Sequence, residues 1–256
     1  MPFTFSHPAA VLPLARRNLS ISGLVIGSMI PDLVYFLRLM PLRDFTHSIP
    51  GLLLYCLPVG MAVLWLYHAW LKAPLAALFP EFQGLISGSG EEFRFLPARR
   101  LAVLSLSILI GAITHIFWDG FTHEDGWALH YFPFLGDTAL DLGFDRISLT
   151  RVLHHAGSVL GGAYIVLWTR KHLSRAKTPA GAPNGGNLVV LNSLWVRIPL
   201  ALSAALGYLF AWSQAGLVGT YHELRLVMVQ GLFASGTFLL CFLLFYSAYW
   251  HFKSNN

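Results

Sequence analysis

Three short stretches of this sequence place imidazoles and carboxylates where an apolar chain has little reason to keep them. In "THIFWDGFTH", His115 and Asp119 are four residues apart and share one face of a helix, with His123 joining them if the helix continues past Gly120. In "GSMIPD", Asp32 lies near the middle of an apolar segment, where a carboxylate costs roughly 2.5–3.5 kcal/mol and marks a functional position with a partner. Pro31 has no N–H and crowds the carbonyl four residues back, so the Gly27 carbonyl is freed and a kink is expected at the acid. Broken backbone at membrane depth is tolerated where it is buried in protein or lines a cavity. "DFTHSIPG" adds His47, and "RVLHHAGSVLGG" adds His154 and His155, which point about 100° apart so that at most one faces a common centre. A lone His-x-x-x-Asp pair also serves as an ordinary hydrogen bond between helices. Convergence of Asp, His, His/Asp and His on one level is instead what a carboxylate–imidazole metal site needs, suited to zinc, with manganese or iron as substitutes. Such an ion activates water for attack on a phosphoester. Asp32 and Asp119 are the catalytic candidates: one or the other would bridge two metals, with a further carboxylate outside the ligand shell as general base.

The elements that must position these residues are membrane helices. The chain has 256 residues, 55% of them hydrophobic and only 11% charged, with a mean hydropathy of +0.60, which excludes an ordinary soluble domain. Nearly uncharged runs of about 20 residues, enough to cross roughly 30 Å of hydrocarbon, lie at about 20–38, 50–71, 101–119, 152–169, 195–214 and 227–250. The fold class is therefore all-α: a polytopic membrane helix bundle of about six transmembrane helices, with room for an extra short N-terminal helix. "MPFTFSHPAAVLPLARR" lacks the order of a removable signal peptide. Cys56 and Cys241 both fall inside expected spans and form neither a disulfide framework nor a cysteine metal site.

Charge sets the expected topology. Arg170, Lys171, Arg175 and Lys177 lead into "TPAGAPNGGN", so residues 174–193 read as a flexible cytoplasmic loop. Residues 120–151 hold Glu124, Asp125, Asp137, Asp141 and Asp145 against two arginines and belong outside, while Arg99 and Arg100 fit a cytoplasmic start of the third span. Both termini then lie inside, although Arg38 and Arg43 in the first outer loop run against this. Residues 1–256 form one integral membrane domain. The motifs occupy 1–162, and 194–256 supply two packing helices in which Gly231, Ser235 and Gly236 suit close contact. His68, His172, His222 and His251 read as interfacial, and His130 sits in the aromatic stretch "WALHYFPF".

The stretches "MPFTFSHPA", "GSMIPD", "THSIPG" and "THIFWDGFTH" together closely resemble the bacterial membrane family known as domain of unknown function 4184, over residues 1 to about 162. The order of motifs is also similar to that of inner-membrane metal-dependent hydrolases and, more distantly, of zinc-dependent phospholipase C. The resemblance implies His7, Asp32, His47, His115 and Asp119 as metal ligands, with His155 or its neighbour His154 as a further one. It implies a bacterial inner-membrane protein, and the charge topology puts the site towards the outer side; residues 175–256 have no counterpart in these motifs. His7 strains this picture, because a first span over 20–38 would leave it across the membrane from His47 and His115. Either the N-terminal segment folds back into the bilayer as a short helix, or the Pro-Asp segment is re-entrant, or His7 merely caps or anchors; the first is preferred.

The function expected is a membrane-embedded metal-dependent hydrolase acting on a phosphoester of a lipid or lipid-linked substrate, with membrane lipids and no nucleic acid as partners. The alternatives are a transporter or proton/cation pathway using the intramembrane Asp and His, and a non-catalytic membrane protein with a structural metal. Fold-level analogy alone does not decide among them.

Overall fold

Proline is tolerated at the first turn of a helix and disruptive inside one, and the first 36 residues contain both cases. In the computed structural model, which describes residues 3–15, 18–37, 43–79, 83, 95, 97–141, 146–173, 186–215 and 221–254, a 3-10 turn at Thr4–Ser6 leads into a short helix, α1 (Pro8–Val11), with its proline in the first turn. Ser20 caps α2 (Ile21–Gly27), its Oγ accepting from the Gly23 N–H at 3.1 Å. α2 ends at Ser28, a 3-10 turn carries Ile30–Asp32, and α3 (Leu33–Phe36) follows. The kink expected at the acid within the 20–38 segment is a break into two short helices joined by that 3-10 turn. Even as one regular helix, Ile21–Phe36 would extend only about 24 Å, short of the roughly 30 Å of hydrocarbon.

After α4 (Arg43–Thr46), Ser48 accepts from the Gly51 N–H and starts α5, a continuous helical run over Ile49–Leu78. α6 (Ala98–Thr122) is the long helix that bears His115 and Asp119. A short α7 (Trp127–Tyr131) and a two-stranded antiparallel ribbon, β1 (Thr138–Asp141) with β2 (Arg146–Ser148), follow. These strands are too short to leave a period-2 pattern, so the sequence reading has no counterpart for them. α8 (Leu149–Leu173), α9 (Gly186–Ala215) and α10 (Tyr221–Ser254) complete the chain. Among the described residues, three helices are long and apolar enough to cross a membrane, at Ile49–Leu78, Ala98–Thr122 and Leu226–Ser254, and α8 and α9 add 25 and 30 residues of helix. α9 begins earlier than expected: residues 186–193, read as loop, are helical. The remainder of that loop, 174–185, lies outside the described residues.

The described residues fall into two compact units. The first, from within 1–34, 40–65 and 93–172, contains every motif. Its central contact is α2 against α6, at glycines on both sides: a Cβ on Gly27 would strike the Ile108 backbone, and one on Gly111 would strike the Leu24 carbonyl and the Ser28 nitrogen. Buried Ile30, Cys56 and Ala112 form one apolar cluster beside that crossing, and Leu64, Leu104 and Ile108 form a second. In the second unit, from within 35–39, 66–92 and 173–256, Gly207 lies against Ser235 and Gly231 against Tyr208, so α9 and α10 meet closely. The Trp70 carbonyl faces Pro74, which has no N–H to offer it; Ser247 Oγ donates to it at 2.5 Å, and His251 Nε2 lies 3.0 Å away.

Candidate metal centre

Helical spacing puts His115 and Asp119 side by side on α6, with Nε2 and Oδ2 3.4 Å apart, and both are buried. The close glycine crossing of α2 and α6 brings the end of α2 against this pair. In a regular helix the Ser28 carbonyl would accept from the Asp32 N–H, but in the 3-10 turn that N–H goes to the Met29 carbonyl instead, at 3.2 Å. The Ser28 carbonyl is left for His115, whose Nδ1 lies 2.8 Å from it. Nδ1 is then the protonated nitrogen, and Nε2 turns its lone pair towards the carboxylates.

The same break orients His47. Thr46 Oγ1 donates to the Pro31 carbonyl at 3.0 Å and can accept from His47 Nδ1 at 3.1 Å. His47 Nε2 again points at the carboxylates, 3.5 Å from Asp32 Oδ1 and 3.6 Å from Asp119 Oδ2. Asp32 is fixed from behind in turn: Thr4 Oγ1 donates to its Oδ2 at 2.7 Å, leaving Oδ1 to face His115 Nε2 at 3.4 Å. His7, one residue before α1, stacks on His115 with ring centroids 3.8 Å apart and places Nε2 3.4 Å from Asp119 Oδ1. His7 and His47, which flank the broken first segment, thus reach one cluster. The separation across the membrane that an unbroken span would impose does not occur.

Four donor atoms, from Asp32, His47, His115 and Asp119, lie within 4.8 Å of one another. Ligands about 2.0–2.1 Å from a zinc ion at the tetrahedral angle stand about 3.4 Å apart, and four of the edges here measure 3.4–3.6 Å. That spacing is too long for good hydrogen bonds, and His7 Nε2, Asp32 Oδ1, His115 Nε2 and both Asp119 oxygens are buried without a hydrogen-bond partner. Among the described residues, Asp32 and Asp119 pair with histidines and with no lysine or arginine. Two uncompensated buried carboxylates would cost several kcal/mol each, so the donor set fits a divalent cation. Burial holds the His7 imidazole down to about 3, so it is neutral, as a ligand must be. His47 moves the other way: burial disfavours its charge, but the adjacent Asp119 and Asp32 carboxylates outweigh that and raise it, a preference that a divalent cation at the cluster would reverse.

The remaining histidines divide. His123 ends α6, with Nδ1 2.9 Å from the Asp119 carbonyl and 3.8 Å from Asp119 Oδ2, so it adjoins the cluster. The doubled histidine of α8 resolves in favour of His154: its half-buried ring lies 6.4 Å from that of His123, whereas His155 is exposed. Neighbours on a helix point in different directions, and neither residue is among the four clustered donors. His130 is exposed beside Tyr131. Sequence reasoning did not find Thr4, Thr46 or the Ser28 and Pro31 carbonyls, although the Thr-His dipeptide before α5 was a visible signal for Thr46.

An all-α membrane-type protein with a buried Asp/His cluster able to hold a metal ion is the class these observations define. The chain belongs to the family described as Domain of unknown function (DUF4184), whose model matches residues 1–248. The match extends through the last two helices, well past the motif-bearing part on which the resemblance was read. No curated protein and no solved structure matches the chain.

Proposed function

We propose that this protein is a membrane-embedded metal-dependent hydrolase that cleaves a phosphoester of a lipid or lipid-linked substrate. The observation that carries the reading is the buried donor set: two carboxylates and three imidazoles at ligand-to-ligand spacing, aligned from behind by Thr4, Thr46 and the Ser28 carbonyl. A divalent ion held by Asp32, His47, His115 and Asp119 supplies Lewis acidity towards water and a phosphoryl oxygen. Zinc suits these ligands, and manganese or iron would also be accepted.

The chain's own residues divide the remaining tasks. Asp32 offers one oxygen only, because Thr4 holds the other. Asp119 places Oδ2 in the four-donor cluster and Oδ1 3.4 Å from His7 Nε2, so it would suit a bridging role, and His7 would serve as a further ligand beside it. Burial of His115 and Asp32 excludes bulk water from the inner wall, which strengthens every electrostatic contact made there. The apolar surface of the flanking helices suits a substrate that arrives from the bilayer.

The test is metal analysis of detergent-purified protein alongside hydrolysis of bis-p-nitrophenyl phosphate. About one or two zinc or manganese ions per chain are expected, lost in Asp32→Ala and His115→Ala, with turnover abolished by chelator and restored by metal. A folded wild type that binds no metal and ignores chelator refutes the reading. Metal-independent cation uptake into proteoliposomes without hydrolysis would favour the transporter alternative.

A further inference from the structure

The segment between α6 and α8 carries an apolar surface that the metal centre does not use. Residues 127–136 include no Asp, Glu, Lys or Arg, although Glu124, Asp125 and Asp137 bound them. Ala128 and Leu135 are buried on the inner side. Trp127 and Tyr131, four residues apart and so on one face of α7, are 40% and 70% exposed, and Phe132 and Phe134 follow at 42% and 56%. Contiguous exposed apolar surface of this kind marks an interaction site.

Close backbone contacts fix this surface against α6. A Cβ on Gly120 would strike the Trp127 indole, and one on Gly126 would strike the Gly120 carbonyl, so the start of α7 is seated on the residue that follows Asp119. From there the rings run without a gap from helix to loop. Phe117 lies 5.3 Å from Phe121 and 5.6 Å from Trp127, Phe121 lies 6.3 Å from Phe132, and Phe132 lies 6.1 Å from Phe134. On α6 the same surface continues through Phe117 and Ile113, both more than half exposed, along a helix long and apolar enough to cross a membrane. Lipid is what covers such a stripe, and the loop surface is its continuation. A second copy of the chain seated on the loop would have to stop at an edge that the surface does not have.

We propose that Trp127, Tyr131, Phe132 and Phe134 form an interfacial platform, inserted among the headgroups and upper acyl chains of the phospholipid leaflet at that end of α6. Charge alone would leave the whole of 120–151 in water; the platform instead puts the aromatic centre of that segment in the leaflet and its acidic flanks outside. Indole and phenol rings suit this depth, because each joins an apolar body to a polar tip. The platform does not depend on the hydrolase reading. It does set the depth of the metal cluster, since Trp127 rests on Gly120 beside Asp119 and so holds that end of α6 at the level of lipid headgroups.

The experiment places nitroxide spin labels on the full chain in nanodiscs of phosphatidylcholine and phosphatidylglycerol. Labels are attached to Tyr131→Cys, Phe134→Cys and, in the ribbon, Asp141→Cys, each in a Cys241→Ser background, Cys56 being buried. Tyr131 and Phe134 are more than half exposed, so a cysteine at either position leaves the packing intact, which an unchanged melting temperature in detergent checks. Power saturation then reads collisions with dissolved oxygen and with a water-soluble nickel chelate. Labels at 131 and 134 are expected to meet the nickel chelate at least about threefold less often than the label at 141, and oxygen more often, because a polar solute is excluded from an apolar zone. Equal nickel collisions at all three positions overturn the proposal. Dipolar broadening between copies at 131 or 134 also overturns it, by making the face a dimer contact. Neither failure touches the hydrolase reading, which metal analysis decides.

Discussion

Replacing Thr46 with valine keeps the volume and β-branching of a fully buried side chain and removes only its hydroxyl. That hydroxyl donates to the Pro31 carbonyl at 3.0 Å and stands 3.1 Å from His47 Nδ1, so Thr46→Val loosens the ring whose Nε2 meets both carboxylates. Outer-shell partners of this kind affect metal affinity by about 10–100-fold, equivalent to about 1.4–2.8 kcal/mol. The Pro31 carbonyl loses its donor as well, which lowers the stability of the metal-free protein by about 1–3 kcal/mol. The assay is competition for zinc between detergent-purified protein and a chromophoric chelator, with Thr46→Ser as the control. Serine keeps the hydroxyl and should hold zinc within about threefold of the wild type, because what it loses is packing and not the hydrogen bond. Wild-type zinc affinity in Thr46→Val would refute the claim that Thr46 orients His47. Equal losses in both variants would assign the effect to packing.

Further outcomes follow from the same geometry. Asp32→Asn, which keeps the shape and cancels the charge, should lose most bound metal in elemental analysis, while Thr4→Val should weaken zinc binding by about tenfold through the freed Asp32 Oδ2. Gly111→Ala should lower thermal stability by about 3 kcal/mol, because its Cβ would meet the Leu24 carbonyl and the Ser28 nitrogen; an unchanged melting temperature would contradict the close crossing. His154→Ala should reduce turnover more than His155→Ala, since only the former faces His123; the reverse order would return the role to His155.

Much of the centre could be read from residue type and spacing. Four residues on one helix face suffice to pair His115 with Asp119, and a carboxylate beside a proline in an apolar run marks Asp32 as a break with a purpose. His47 follows from its place ahead of α5. Composition alone fixes the all-α membrane class, because so apolar a chain with 11% charged residues must satisfy its backbone within helices. The break at Asp32 was legible and its hydrogen-bond register was not: hydropathy averages over a window and cannot register that a 3-10 turn takes the Asp32 N–H away from the Ser28 carbonyl. That one exchanged hydrogen bond shortens the helix and frees the carbonyl that orients His115.

What the sequence determined by itself was the inventory, a set of imidazoles and carboxylates in an otherwise oily chain, together with the one pair that helical periodicity brings together. The tertiary structure decided which of them meet. It brought His7 to Asp119 across the broken first segment, placed the His154 ring 6.4 Å from that of His123, and set Thr4 and Thr46 behind the ligands. These contacts depend on glycines 27 and 111 letting two backbones approach and on a hydrogen-bond register that changes at a single turn. Both are properties of how elements pack, and no local pattern in the chain encodes them.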